Sequence, residues 1–171
     1  MPSKQKTKGS GFERDVAKDL TMRYGENFVR TIGSGAFTGG SNRFRKDTLT
    51  ENQARHHKGD VTPPDSFNRM NMECKFYADF LFHQVFQGSC TQLDTWIEQT
   101  YDAADEGDVN VIAIKINRKG KFICIEADDS LNTEKALEYK GWYLFDYDTF
   151  FDENLVPFAD LCGKKLGESN V

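Results

Sequence analysis

The sequence predicts an α/β fold with a mixed central β-sheet flanked by helices. Three observations carry that prediction. Apolar residues recur at helical spacing in two segments, 10–24 and 87–104. Short runs rich in β-branched and aromatic residues separate and follow them. The resulting order, helix, three strands, helix, two strands, interleaves the two kinds of element as layered α/β domains do. At 171 residues one domain is the simplest division, and it is long enough to bury a sizeable core.

Residues 1–9 offer nothing to bury and are expected to be a disordered basic arm, leaving 10–171 as the domain. Ser10 opens a helix to about Tyr24, with Phe12, Val16 and Leu20 at i, i+4 spacing and Gly25 ending it. Phe28 to Ile32 reads as a short strand, followed by a tight Gly33-Ser34-Gly35 turn. Residues 36–58 form a long polar loop with five Lys/Arg, two acids and His56-His57. Compact domains rarely keep so long a connection without a use for it. Strands are expected around 57–62 and 69–77, with Pro63-Pro64-Asp65 in the turn between them. The helix from about Gln87 to Ala104 presents Leu93, Trp96, Ile97, Thr100 and Tyr101 on one side.

Val109 to Ile116 is an apolar strand, Arg118-Lys119-Gly120 a turn, and Phe122 to Glu126 its hairpin partner. Leu131 to Tyr139 reads as a short helix. Trp142 to Phe145 and 148–162 are aromatic-rich without a clear period, inside an acidic C-terminal extension over 128–171.

Charged residues make up 29% of the chain, and no apolar stretch approaches the ~20 residues needed to span a bilayer. The segment Met-Pro-Ser-Lys-Gln-Lys-Thr-Lys lacks the apolar core of a signal peptide. Cys74, Cys90, Cys124 and Cys162 are scattered, which argues for reduced thiols in the cytoplasm and against a disulfide frame or zinc site. The net charge of -5 conceals an asymmetry: residues 1–75 hold 14 Lys and Arg against 9 Asp and Glu, and the rest hold 8 against 18. A locally basic face can attract a polyanion, because salt screens the distant acids beyond ~8–10 Å. Ordinary mixed surfaces also show such imbalance.

The chemistry concentrates in Met-Asn-Met-Glu-Cys-Lys-Phe-Tyr. On a strand Glu73 and Lys75 share one face while Met72 and Cys74 share the other. A carboxylate and an ammonium on a half-buried strand are costly unless they pair, bind a metal or act chemically. Asp60, thirteen positions upstream, would reach a neighbouring strand position. Together Asp60 and Glu73, with the Cys74 backbone carbonyl, offer oxygen ligands suited to Mg²⁺ or Mn²⁺. Such an ion could polarise a scissile phosphate, with Lys75 beside it to orient water or stabilise charge. The rival reading is a surface Glu–Lys pair beside an unrelated turn Asp.

Other groups have rivals too. Ser10-Gly-Phe-Glu13 reads as an S-x-x-E capping box. Arg30 beside Gly33-Ser34-Gly35 could approach a phosphate, or the glycines could mark only a turn. Arg43, Arg45, Lys46, Arg55 and Lys58 could grip a duplex, with Phe44 as a wedge, or form a solvated loop. His56 and His57 point apart on a strand and receive no catalytic role; Trp96, with Leu93 and Ile97, reads as core, with an oligomer interface as the lesser option.

Assembled, these residues resemble the PD-(D/E)XK nuclease superfamily, with its restriction-endonuclease-like core, and within it the Holliday junction resolvases of archaea and phages. The likeness runs from about Lys8 to Glu126. It takes in Lys8-Gly-Ser-Gly-Phe-Glu13-Arg14, Val29-Arg30-Thr-Ile-Gly33-Ser34-Gly35, Gly59-Asp60-Val61, Met72-Glu73-Cys74-Lys75 and the 111–123 hairpin. The resemblance implies that Glu13, Asp60 and Glu73 are the acids of a metal site and Lys75 the catalytic lysine. It implies DNA contacts by Lys8, Arg14, Arg30 and Ser34, a homodimer, and symmetric nicking of four-way junctions. A restriction- or repair-type nuclease of the same fold, and a DNA-binding module without cleavage, are the alternatives. Three departures stand out: Gly59 where the name-giving pattern has Pro, a long segment between Gly35 and Asp60, and the tail from about Asp128. The small size and that tail suggest a phage protein acting in the host cytoplasm.

Overall fold

The computed structural model describes residues 4–32 and 58–163. The Gly33-Ser34-Gly35 turn and all but the last residue of the 36–58 loop, with Arg43, Phe44, Arg45 and the two histidines, lie outside the described residues. In chain order the elements are α1 (Lys4–Tyr24), β1 (Val29–Arg30), β2 (Val61–Thr62), β3 (Met70–Tyr77), α2 (Phe82–Phe86) and α3 (Thr91–Ala103). There follow β4 (Val109–Ile116), β5 (Gly120–Glu126), β6 (Leu137–Tyr139), β7 (Trp142–Asp146) and α4 (Tyr147–Gly163). Among the described residues no helix is long and apolar enough to cross a membrane.

Five strands form the central sheet in the order β3-β4-β5-β7-β6, and β1-β2 form a separate antiparallel pair. β3 and β4 run parallel, with Glu73 opposite Ile112 and Lys75 opposite Ile114. The other neighbours in the sheet are antiparallel, so the sheet is mixed as expected. A parallel pair needs a crossover, which α2 and α3 supply.

Alternation along the strands builds two cores. Met70, Met72, Val111, Ala113, Ile123 and Ile125 face α1 and α4, meeting Phe12, Val16, Leu20, Phe150 and Phe158. Ile112, Ile114, Cys124 and Leu144 face the other way, onto Leu93 and Trp96 of α3. The result is three layers, helix, sheet and helix, with β3 at one sheet edge. All four cysteines are free.

Three expectations need correcting. α1 begins at Lys4, not Ser10, so residues 4–9 are helical and not an unstructured arm. Lys and Gln are good helix formers, and once Phe12 and Val16 anchor a helix each added residue gains a hydrogen bond without a new nucleus. Ser10 therefore lies inside the helix, and its capping box with Glu13 has no helix start to cap. Second, Leu131 to Tyr139 is not a helix: its last three residues are β6. Lys140 (φ 47°) and Gly141 (φ 80°) form the two-residue loop that pairs Tyr139 with Trp142. Positive φ at both positions gives the hairpin turn whose twist matches paired strands. Third, the α3 helix starts four residues later than Gln87, after the separate short helix α2.

The aromatic tail resolves into β7 and α4. Tyr147, Phe150, Phe151, Asn154, Phe158 and Leu161 are buried at helical spacing. Pro157 interrupts the pattern: its ring lacks an N–H and crowds the preceding turn, and Asn154 takes a non-helical conformation (φ -123°, ψ 21°). The Asn154 side chain accepts a hydrogen bond from the Asn132 amide at 2.7 Å and donates to the Asn132 carbonyl at 3.1 Å. The kink thus ties α4 to the loop before β6. Asn154→Ala should lower unfolding free energy by about 1–3 kcal/mol in urea titration, because both Asn132 groups lose their partner; an unchanged midpoint would show the tie to be dispensable.

Candidate active site at the outer edge of β3

Asp60 is the residue around which the site is built. Its backbone N–H donates to the Met72 carbonyl at 2.8 Å, and its carbonyl accepts from Thr31 at 2.9 Å. Its carboxylate oxygen Oδ2 accepts from the Cys74 N–H at 2.7 Å. These bonds place a nearly buried carboxylate (8% exposed) on the edge of β3 that β4 does not occupy. On a strand the N–H and C=O of one residue point to the same edge, so the Cys74 carbonyl is directed toward Asp60 as well.

Gly59 makes this approach possible. It sits at φ +66°, and a Cβ there would meet the Met72 carbonyl oxygen at 2.7 Å. Proline, locked near φ -65°, could not adopt this backbone. Lys58, one residue before Gly59, is mostly buried, and its ammonium lies 2.7 Å from Asp108 and 3.5 Å from Asp105. That mostly buried pair fastens the start of the Asp60 segment to the α3–β4 connection.

Glu73 and Lys75 sit on the α3 face, as alternation requires, with Lys75 Nζ 4.0 Å from the Glu73 carboxylate. Lys75 also donates to Gln99 Oε1 at 2.6 Å. Gln99, on α3, is a site neighbour that sequence reasoning passed over, and nothing in its spacing distinguishes it from other polar positions of that helix. Glu13, from α1, pairs with Arg30 of β1 at 2.5 Å. Two residues expected to serve separate ends, a metal site and a DNA contact, therefore hold each other.

The sequence of the chain matches, over residues 4–154, the model of a family described as "Phage putative PDDEXK endonuclease". The chain belongs to that family. No curated protein and no solved structure matches it. In this chain a glycine precedes Asp60, and it has the steric reason given above.

The electrostatics show what the arrangement can hold. Burial, then the neighbouring Asp60 carboxylate, raises the Glu73 carboxyl well above the ordinary range, against the pull of Lys75. Burial and Asp60 also raise Glu13, with Arg30 opposing. Burial first, then the surrounding carboxylates, keeps the Cys74 thiol protonated, so this residue offers a carbonyl and not a sulfur. Asp60 thus acts on both Glu73 and Glu13, yet among the described residues no group of three or more His, Cys, Asp or Glu stands ready to hold a metal ion. The Asp60 carboxylate bears on Glu73, and Glu13 is taken up by Arg30. Two crowded carboxylates and an edge carbonyl fit a hard divalent cation, since an added positive charge would relieve the repulsion that raises Glu73.

Of the remaining expected residues, Arg14 is exposed on α1 beside Glu13, and Lys8 is exposed nearer its N-terminus. Ser34, Arg43 and Arg45 lie outside the described residues.

Two outcomes follow. Gly59→Ala should destabilise the protein by more than about 1 kcal/mol, since alanine pays for positive φ and its methyl strikes β3; urea unfolding at wild-type level would remove the steric argument. A carboxyl with a raised folded pKa favours the fold at acid pH, and that advantage is lost as pH rises through the raised value. In EDTA the melting temperature should therefore fall as pH climbs from the ordinary carboxylate range past neutrality, and Glu73→Gln should flatten the fall. Parallel wild-type and variant profiles would show that Glu73 is not the group responsible.

Proposed function

We propose that this chain is a metal-dependent, structure-selective DNA endonuclease, a Holliday junction resolvase that hydrolyses phosphodiesters symmetrically at four-way junctions. One observation carries the nuclease reading: Asp60 is clamped to the edge of β3 beside Glu73, with Lys75 on the same face of the strand as Glu73. Membership in a phage endonuclease family supports it. The junction preference rests on the resemblance of Glu13-Arg14, Arg30 and the Asp60–Lys75 set to resolvases, and on the basic first half of the chain.

Asp60, Glu73 and the Cys74 carbonyl are the residues that would hold Mg²⁺ or Mn²⁺. When bound, such an ion supplies Lewis-acid polarisation of the scissile phosphate and offsets charge on the leaving oxygen. The Lys75 ammonium donates toward the attacking water or a phosphate oxygen, while Gln99 and Glu73 hold its Nζ in place. Glu13 keeps the Arg30 guanidinium at the site's margin, where it meets the DNA backbone; Arg14 and Lys8 extend that cationic margin along α1. Water adds to phosphorus in line as the P–O bond to the 3′ oxygen breaks, leaving a 5′-phosphate and a 3′-hydroxyl that a ligase can rejoin. A two-fold homodimer would present this surface twice to a two-fold junction.

The deciding experiment compares a labelled four-way junction with linear duplex of the same arms, each in Mg²⁺ and in EDTA. Paired symmetric nicks confined to the junction, and abolished by EDTA, are expected. Cutting of both substrates would move the protein to a restriction- or repair-type nuclease, and binding without cutting in either Mg²⁺ or Mn²⁺ would make it a binding module. Glu73→Gln and Lys75→Ala should each lower the cleavage rate by about 10²-fold or more while sparing junction affinity; full activity in either variant would remove that residue from the mechanism.

A further inference from the structure

A cleft of about 440 Å³ opens at the C-terminal end of β3, lined by Lys8, Phe76, Tyr77, Ala78, Asp79 and Asn117. We propose that it seats an unstacked nucleobase of the substrate strand, with Tyr77 as the stacking surface and Lys8 as the contact to that nucleotide's phosphate. This deepens the nuclease reading of the β3 edge and rests on it.

Tyr77 follows Glu73 and Lys75 on the same face of β3, one two-residue step, about 6.6 Å, beyond the lysine. A strand threaded past Lys75 would therefore meet this ring next. Nearly half of Tyr77 (44%) is exposed. Behind it stands Trp96 at 4.9 Å, and Trp96 in turn stacks on Phe80 at 5.4 Å with the rings 20° from parallel. An exposed ring with a buried aromatic backing is a rigid platform that loses little freedom when a base settles on it. Base–aromatic stacking needs no particular sequence, which suits an enzyme that reads shape.

The rim fits an anion. Lys8 reaches the cleft from α1, and Asp79, the acid of the lining, is matched by Lys119 at 2.5 Å. The Asn117 amide donates to the Tyr77 carbonyl at 2.9 Å, so the ends of β3 and β4 keep the cleft's floor together. The volume falls within the ~300–1,000 Å³ of small-ligand clefts, enough for one nucleotide. A branched junction supplies bases at its crossover that are less well stacked than those of a duplex, so extrusion costs least there.

The test is a binding cycle in EDTA, where no cleavage intervenes. Affinity for a labelled four-way junction is measured with single abasic sites placed in turn around the branch point, using wild type, Tyr77→Leu, Tyr77→Phe and Lys8→Ala. Leucine fills the space over Trp96 without a π-face, so a folding defect is kept apart from lost stacking. Tyr77→Leu should weaken binding about tenfold and Tyr77→Phe less than about twofold. At one position the abasic site should cost wild type the same factor and cost Tyr77→Leu nothing more. Lys8→Ala should reduce the salt dependence of log Kd by about one. If Tyr77→Leu binds as wild type, or no abasic position is coupled to it, the proposal fails. Wild type that cuts junctions normally in Mg²⁺ beside such a result would sink this inference alone; wild type that binds no DNA would sink both.

Discussion

Two hydrogen bonds across the outer edge of β3, from Asp60 N–H to Met72 and from Cys74 N–H to Asp60 Oδ2, hold the candidate site in one place. They substitute for a neighbouring strand: where β3 would otherwise present unpaired backbone, a single aspartate satisfies a carbonyl with its amide and an amide with its carboxylate. The site is thereby attached to the most regular part of the molecule, an eight-residue strand in parallel register with β4. Gly59 allows the close approach, and the Lys58–Asp108 pair holds the segment from its other side.

Around that clamp the molecule accumulates negative charge that burial makes costly. Burial and then the Asp60 carboxylate raise both Glu73 and Glu13, with Lys75 and Arg30 in partial compensation. The compensation is incomplete for Glu73, the group most strongly shifted. A fold that keeps such a cluster forgoes stability that apolar residues could provide, as sites built to receive a cation or to move protons do. Lys75 is held by Gln99 of α3, so both helical layers contribute: α1 brings Glu13 and α3 brings Gln99, with the sheet edge between them.

Much of this was readable from local pattern. The β4–β5 hairpin and β3, with Glu73 and Lys75 on one face, follow from period-two alternation and from the cost of polar groups in an apolar strand, whereas Asp60 was joined to them by motif pattern and resemblance. The α4 helix was written in the same code but masked, because Pro157 breaks a run whose buried aromatics otherwise keep helical spacing. The segment 131–139 misled for a different reason. Its composition suits a helix, and the decision fell to the Lys140-Gly141 turn and to the hydrogen bonds that Asn154 offers from a distant helix.

The sequence by itself determined which residue types could do chemistry and on which face of β3 each would lie, since both are properties of neighbours along the chain. Tertiary structure alone decided their partners. That Lys58 would be buried against Asp108, that Arg30 would close on Glu13, and that Gln99 would reach Lys75 depend on how α1, α3 and the β1–β2 pair pack against one strand edge. Charged and amide side chains are long and carry no period of their own, so their pairings become defined only when the backbone beneath them has been placed.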